Sequence, residues 1–107
     1  MSEPVIILTT FPDTEAAEDF ARELIGSQLA ACVNILPRMI SIYEWEGKLE
    51  RGQEHQLVIK TVDRHFAAIE QRLKNSHSYE LPELLMLPAV SGSTDYLNWI
   101  HESTNDD

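Results

Sequence analysis

The order in which strand-like and helix-like periodicities alternate constrains this chain more than any other feature. Residues 5–10 are β-branched and almost entirely apolar, which predicts a strand buried on both faces. Residues 14–28 then repeat apolar side chains every three or four positions, as in an amphipathic helix, and Asp13 precedes them as a predicted N-cap. The chain therefore begins with a strand followed directly by a helix.

Further segments continue the alternation with the periods of strands and helices. They are strand-like stretches at 31–36 and 39–46, a turn at Gly47-Lys48, a strand at 54–61, a helix at 64–75 capped by Asp63, a strand at 83–87 and a short helix that starts at Ser93 or Thr94. The resulting βαββαβ order predicts an α+β, ferredoxin-like sandwich with an extra C-terminal helix. We expect residues 1–107 to form one domain with a polar tail from about residue 102.

One face of the predicted sheet has too little to cover it. Both long helices are expected on the same face, and the C-terminal helix is too short to cover the other face alone. The hairpin from Cys32 to Thr61 also presents strand edges that a monomer would leave open to unwanted pairing. We therefore expect the chain to associate with copies of itself.

The charge balance excludes several classes of partner. Eight basic residues against 18 acidic ones give a net charge of −10, which argues against nucleic acid and against anionic membranes. The single cysteine, Cys32, excludes an internal disulfide framework and a cysteine-rich zinc site. No stretch resembles a secretory signal or a membrane span, so the predicted location is the cytoplasm.

A group of aromatic and charged residues predicts a cleft. Tyr43 and Trp45 share one face of a strand, Lys60 lies on the neighbouring strand, and Glu83 begins the last one. Together with Tyr79 they would suit a small-molecule site between subunits. The alternative is a structural interface, in which the aromatic residues anchor subunit contacts and Lys60 pairs with Glu54 or Glu83.

Five ordered segments of the sequence form a recognisable set: LAACVN from Leu29, SIYEWEGK from Ser41, IKT from Ile59, HSYELPE from His77 and YLNWI from Tyr96. In this order they resemble the CutA family of divalent-cation tolerance proteins. The resemblance extends from Val5 to Ile100 and implies a cytoplasmic homotrimer whose shape is related to that of the PII signalling proteins. It also implies a role in tolerance of copper and other divalent metal ions, with no established enzymatic reaction.

The resemblance also implies copper ligands at the end of the first strand and just before the Tyr-x-x-Pro-Glu segment. This chain has Thr9 and Ser76 where some members carry cysteine and histidine, so His77 is the one predicted metal ligand. The alternative for His77 is a hydrogen-bonded loop residue. Cys32 is expected in the core, and the three other histidines are expected at the surface: His55, His65 and His101.

Two functions follow as hypotheses. The first is a non-catalytic divalent-cation tolerance protein, a homotrimer that binds copper or another divalent cation weakly through His77. The second is a PII-like trimeric signalling or scaffold protein that binds a small anionic or amphipathic molecule in an intersubunit cleft. The residues predicted for that cleft are Tyr43, Trp45, Lys60, Tyr79 and Glu83.

Overall fold

The computed structural model describes residues 2–106 and confirms the predicted α+β order. Its elements are β1 (Pro4–Phe11), α1 (Thr14–Gly26), β2 (Cys32–Ile35), β3 (Met39–Trp45), β4 (Lys48–Val62), α2 (Phe66–Ser76), β5 (Leu85–Pro88) and α3 (Thr94–Ser103). The strands form one antiparallel sheet in the order β2-β4-β1-β5, and β3 pairs with the first half of β4. Since β2 and β3 act as one interrupted strand, this is the ferredoxin-like arrangement.

The core lies between one face of the sheet and the helices α1 and α2. Ile59 of β4 lies opposite Ile7 of β1 and opposite Val33 of β2, so these three side chains share that face. Phe20 and Leu24 of α1 pack against them and are buried. The opposite face carries Ile6, Val58 and Lys60, among others, and α3 contacts it through Tyr96. We call these the helix face and the open face of the sheet.

The first strand is less buried than the sequence pattern predicted. Val5 and Ile7 are buried on the helix face, but Ile6 and Leu8 on the open face are only half-buried. The prediction of burial on both faces was therefore wrong for a single chain. The physical reason is that α3 covers only part of the open face.

Two helix caps are confirmed and one is not. The Asp13 carboxylate accepts a hydrogen bond from the Ala16 amide at 2.8 Å, and Ser93 caps α3. Asp63 does not cap α2, because a short 3₁₀ turn over Asp63–His65 precedes that helix. Its carboxylate instead accepts a hydrogen bond from the Glu3 amide at 3.2 Å and so holds the start of β1.

The long strand β4 begins six residues before its predicted start. Glu46 and Gly47 both have positive φ, 52° and 79°, which is the geometry of a tight two-residue hairpin turn. Pairing therefore starts at once, with Trp45 opposite Lys48, and continues to Met39 opposite Glu54. The charged residues between positions 48 and 54 concealed this strand, since they lie on a solvent-exposed ribbon that needs no apolar alternation.

Of the predicted polar tail from residue 102, residues 102–106 pack on the domain, and Asp107 lies outside the described residues. Residues 102 and 103 complete α3, and Thr104 is fully buried. Asp106 accepts hydrogen bonds from the His101 Nδ1 at 2.9 Å and from Ser2, and it forms an ion pair with Arg64. A short polar sequence is held here by specific partners, which composition alone does not reveal.

Loss of the Asp106 carboxylate should destabilise the fold in a pH-dependent way. Although burial by itself would raise it, the pKa of Asp106 is held below its usual 3.8 by the hydrogen bonds from His101 and Arg64. A lowered pKa adds stability that is complete above the unfolded-state value and disappears as the pH falls through the folded-state value. Asp106→Asn should therefore cost about 1–2 kcal/mol of unfolding free energy at pH 7 and much less at pH 2.5.

Guanidinium unfolding at both pH values measures this difference. Glu102→Gln is the matched control, because that exposed carboxylate is at the same end of the chain and should behave like the wild type. If Asp106→Asn lowers the unfolding free energy as much at pH 2.5 as at pH 7, the role assigned to the carboxylate is contradicted.

Candidate functional site

A concave site lies between the β3–β4 hairpin and the segment that joins α2 to β5. We call it the hairpin cleft, and its volume is about 450 Å³. Its lining residues are Thr10, Ser41, Ile42, Tyr43, Trp45, Glu54, Tyr79, Glu80, Leu81 and Glu83. Four of the five residues predicted for a cleft are thus brought together: Tyr43, Trp45, Tyr79 and Glu83.

Strand pleating places one wall of the hairpin cleft. Ser41, Tyr43 and Trp45 alternate along β3 and so point to the same side of the ribbon. Glu54 lies on the same side of β4, where one of its carboxylate oxygens accepts a hydrogen bond from the Ser41 hydroxyl at 2.7 Å. The sequence pattern predicts Glu54 only as a partner for Lys60. The two-residue turn at Glu46-Gly47 sets Trp45 opposite Lys48, and this register continues to Met39 opposite Glu54, which places Glu54 in this wall.

The opposite wall is fixed to the first through Tyr79. Its hydroxyl donates a hydrogen bond to the second carboxylate oxygen of Glu54 at 3.1 Å. Burial, followed by the hydrogen bond to Glu54 and the negative charge of that residue, raises the pKa of Tyr79 to about 12. The phenol is therefore neutral and acts as a donor over the physiological pH range.

Glu83 is held by a third polar contact. The side-chain amide of Gln56 donates one hydrogen bond to Glu83 at 2.8 Å and another to the backbone carbonyl of Thr9 at 2.7 Å. Gln56 thereby joins the floor of the cleft to β1. The sequence analysis missed Gln56 because its residue type suggests only a polar strand position.

His77, the predicted metal ligand, has both ring nitrogens engaged in hydrogen bonds. Nδ1 accepts a hydrogen bond from the backbone amide of Tyr79 at 3.0 Å, so the ring proton is on Nε2, which donates to the carbonyl of Thr10 at 2.6 Å. The ring also stacks against Phe11 and Tyr79, with centroid distances of 4.4 and 4.5 Å. His77 therefore fastens the segment that carries Tyr79 to the end of β1.

The described residues do not fit a metal centre within one chain. No three or more His, Cys, Asp or Glu side chains of residues 2–106 converge in a way that would hold an ion. His77 has no free nitrogen lone pair, and Thr9 faces the buried core. The hydrogen-bonded loop residue, the alternative considered for His77, is what the geometry shows.

Lys60 and Cys32 lie away from the hairpin cleft. They are directly opposite each other on the open face, and the Lys60 ammonium is 6.0 Å from the centroid of the Tyr96 ring. Lys60 thus does not join the predicted cleft residues within one chain, and it contacts an aromatic ring where an acid partner was expected. Cys32 is half-buried on this face, so the expectation that it belongs to the core is corrected.

Two of the three histidines expected at the surface are buried. His55 hydrogen-bonds through Nδ1 to the Leu36 carbonyl and through Nε2 to Thr14, and His101 is held by Asp106. His65 is half-buried against the carbonyl of Thr104. The expectation was wrong because polar groups satisfy these rings. The partners come from distant parts of the chain for His55 and His65 and from the C-terminal segment for His101.

Comparison with known proteins gives consistent matches over the whole domain. The family model described as CutA1 divalent ion tolerance protein matches residues 5–103. The divalent-cation tolerance protein CutA of Citrobacter koseri is 46% identical over 101 residues, which cover 94% of this chain and 88% of that protein. The crystal structure of CutA1 from Oryza sativa has a TM-score of 0.94 at 37% identity and covers 99% of this chain and 97% of its own. A periplasmic divalent cation tolerance protein CutA from Archaeoglobus fulgidus has a TM-score of 0.91 at 37% identity, with 94% and 98% covered.

The coupling between Tyr79 and Glu54 can be measured by tyrosine ionisation. Of the three tyrosines, one should ionise near pH 12 in an absorbance titration at about 295 nm, and Tyr79→Phe should remove that transition. Glu54→Gln should lower the Tyr79 pKa towards 10, because both the hydrogen bond and the charge are weakened. Glu80→Gln is the control, since Glu80 lines the cleft without bonding to Tyr79. Ionisation of all three tyrosines together near pH 10 in folded protein would contradict the geometry.

Proposed function

This chain belongs to the CutA1 divalent ion tolerance family, and we propose that it acts in divalent-cation tolerance as a non-catalytic homotrimer. The support for self-association is the amount of apolar surface that a single chain leaves exposed. Leu49 on the hairpin, Leu85 on β5 and Val90 after it are 80%, 57% and 93% exposed. Large apolar side chains exposed to this extent on several elements support a role of this surface in protein interfaces.

The strand edges support the same proposal. β2, β3 and β5 each pair with one strand only, so each has an edge of unpaired backbone groups within the described chain. Edges of this kind invite pairing with another copy, and a closed ring of copies covers them without open-ended growth. A trimer is the state implied by the family resemblance.

Measurement of the mass in solution tests the assembly. At micromolar concentration, sedimentation equilibrium should give about 37 kDa, three times the 12.2 kDa of one chain. Leu85→Lys should shift the mass towards 12.2 kDa because it places a charge on the exposed apolar surface of β5. Ala67→Lys places the same charge on the solvent side of α2 and should leave the mass unchanged. A wild-type chain that sediments as a monomer would overturn the proposal.

The polar groups of the hairpin cleft support the absence of catalysis. Tyr79 in the cleft is protonated up to about pH 12, and His77, which lies beside the cleft, has both ring nitrogens in hydrogen bonds, so neither group suits proton transfer at neutral pH. The Glu54 carboxylate accepts hydrogen bonds at both oxygens. These side chains serve to shape the cleft.

Copper-type binding at His77 stays a prediction from the family resemblance, and the geometry weighs against it. A metal ion would have to displace the Thr10 carbonyl or the Tyr79 amide from the ring, and too few further ligands are near. We therefore expect any divalent cation to bind weakly, through the acidic surface of a chain with net charge −10.

Calorimetric titration with Cu(II) and Zn(II) tests this expectation on tag-free protein. Wild type and His77→Ala should give the same weak heats, without saturation at a fixed ratio per chain, for both ions. His65→Ala is the matched control for the loss of a histidine. Stoichiometric binding of Cu(II) that disappears only in His77→Ala would establish His77 as a ligand.

The cytoplasmic location stays a prediction. In the part of the chain that the structure describes, no helix has the length and apolar character needed to cross a membrane. One solved relative is described as periplasmic.

A second function is favoured by the hairpin cleft itself. We propose that this chain is a PII-like signalling or scaffold protein that binds a small molecule in this cleft, because aromatic walls and several polar groups converge on it. Its position against the exposed edge of the hairpin supports a site shared between subunits.

A further inference from the structure

We propose that the hairpin cleft binds a small organic cation, such as an aromatic or alkyl ammonium compound. This inference rests on the second function above, in which the cleft is a small-molecule site, and it adds the chemical class of the ligand. It is carried by the charges, the aromatic faces and the size of the cleft.

The charge of the cleft is of one sign. Glu54, Glu80 and Glu83 line it, whereas no lysine, arginine or histidine does. Within residues 2–106 none of these three carboxylates forms an ion pair with a basic side chain. Carboxylates that converge in a concave, partly apolar site concentrate a negative potential, which attracts a cation and repels phosphates and carboxylates.

Aromatic faces make an organic cation a better ligand than a bare metal ion. Tyr43 and Trp45 come from β3, and Tyr79 comes from the opposite wall. An ammonium group beside such rings gains a cation–π attraction, which is strongest with tryptophan. A metal ion would instead need several donor atoms at short distance, which the described residues do not supply.

The carboxylates keep capacity for a ligand although they are hydrogen-bonded. Each ionised carboxylate has about four lone-pair positions, and Glu54 uses only two, for Ser41 and Tyr79. These two donors also hold Glu54 in place before a ligand arrives, which reduces the entropy lost on binding. The pre-formed volume of about 450 Å³ is within the range of small-molecule sites.

The test uses three probes of similar size that differ in charge. Benzyltrimethylammonium is the cation, benzyl alcohol the neutral probe and phenylacetate the anion, each titrated into the assembled protein. Calorimetry and the NMR signal of the Trp45 indole N–H report binding. The cation should bind saturably and at least about tenfold more tightly than phenylacetate, and added salt should weaken it.

Variants locate the site. Glu54→Gln should weaken binding of the cation about tenfold, and Trp45→Leu should weaken it severalfold. Glu102→Gln removes an equal charge outside the cleft and should leave affinity within about twofold of the wild type. The mass in solution checks that each variant still assembles, and Glu83→Gln offers a second carboxylate if Glu54→Gln fails to fold.

The outcomes separate this inference from the function on which it rests. If benzyl alcohol or phenylacetate binds at Trp45 as tightly as the cation, the cleft is a small-molecule site but the ligand class is wrong. If none of the probes shifts the Trp45 signal, both the ligand class and the small-molecule function are overturned, and a neighbouring subunit covers the cleft. Zn(II) binding that Glu54→Gln abolishes would also overturn the proposal that the ligand is an organic cation.

Discussion

The rest of the structure depends on the alternation of β4 side chains between the helix face and the open face of the sheet. This strand of 15 residues pairs with β1, β2 and β3, so its alternation decides what every neighbour places on each face. Leu57 and Ile59 are fully buried beneath the helices, whereas Glu54 and Lys60 lie on the other side. A slip of one residue would exchange the two sets, which would bury charge and expose the core.

The tight turn at Glu46-Gly47 fixes the register of the first half of β4. Both residues have positive φ, as a two-residue hairpin turn requires. A turn of this length fixes which residues of β3 and β4 lie opposite each other. Glu54 then comes beside Ser41 and below Tyr79, and Gln56 reaches both Glu83 and the Thr9 carbonyl. The hairpin cleft is thus a consequence of strand register. Its walls are joined by neutral donors, Tyr79 and Gln56, that hydrogen-bond to the carboxylates of Glu54 and Glu83.

The order of elements and the β3 wall of the hairpin cleft were predictable because both depend on local periodicity. Tyr43 and Trp45 share a face by period two, and the turn at Gly47 is visible in the sequence. What failed depends on contacts between distant residues. Lys60 lies near Tyr96, on the open face, because α3 crosses there. His55 is buried because Leu36 and Thr14 supply partners for its ring.

His77 shows how a residue that marks a site can act without binding the ligand. Its type suggests metal coordination, but its two nitrogens bridge the end of β1 and the amide of Tyr79, and its ring fills the space between Phe11 and Tyr79. This bridge holds Tyr79 where its hydroxyl can donate a hydrogen bond to Glu54. Since one imidazole nitrogen cannot both carry a proton to a carbonyl and donate a lone pair to a metal, positioning and ligation exclude each other in this conformation. Any binding of a divalent cation by this chain in this conformation would therefore have to use groups other than the His77 ring.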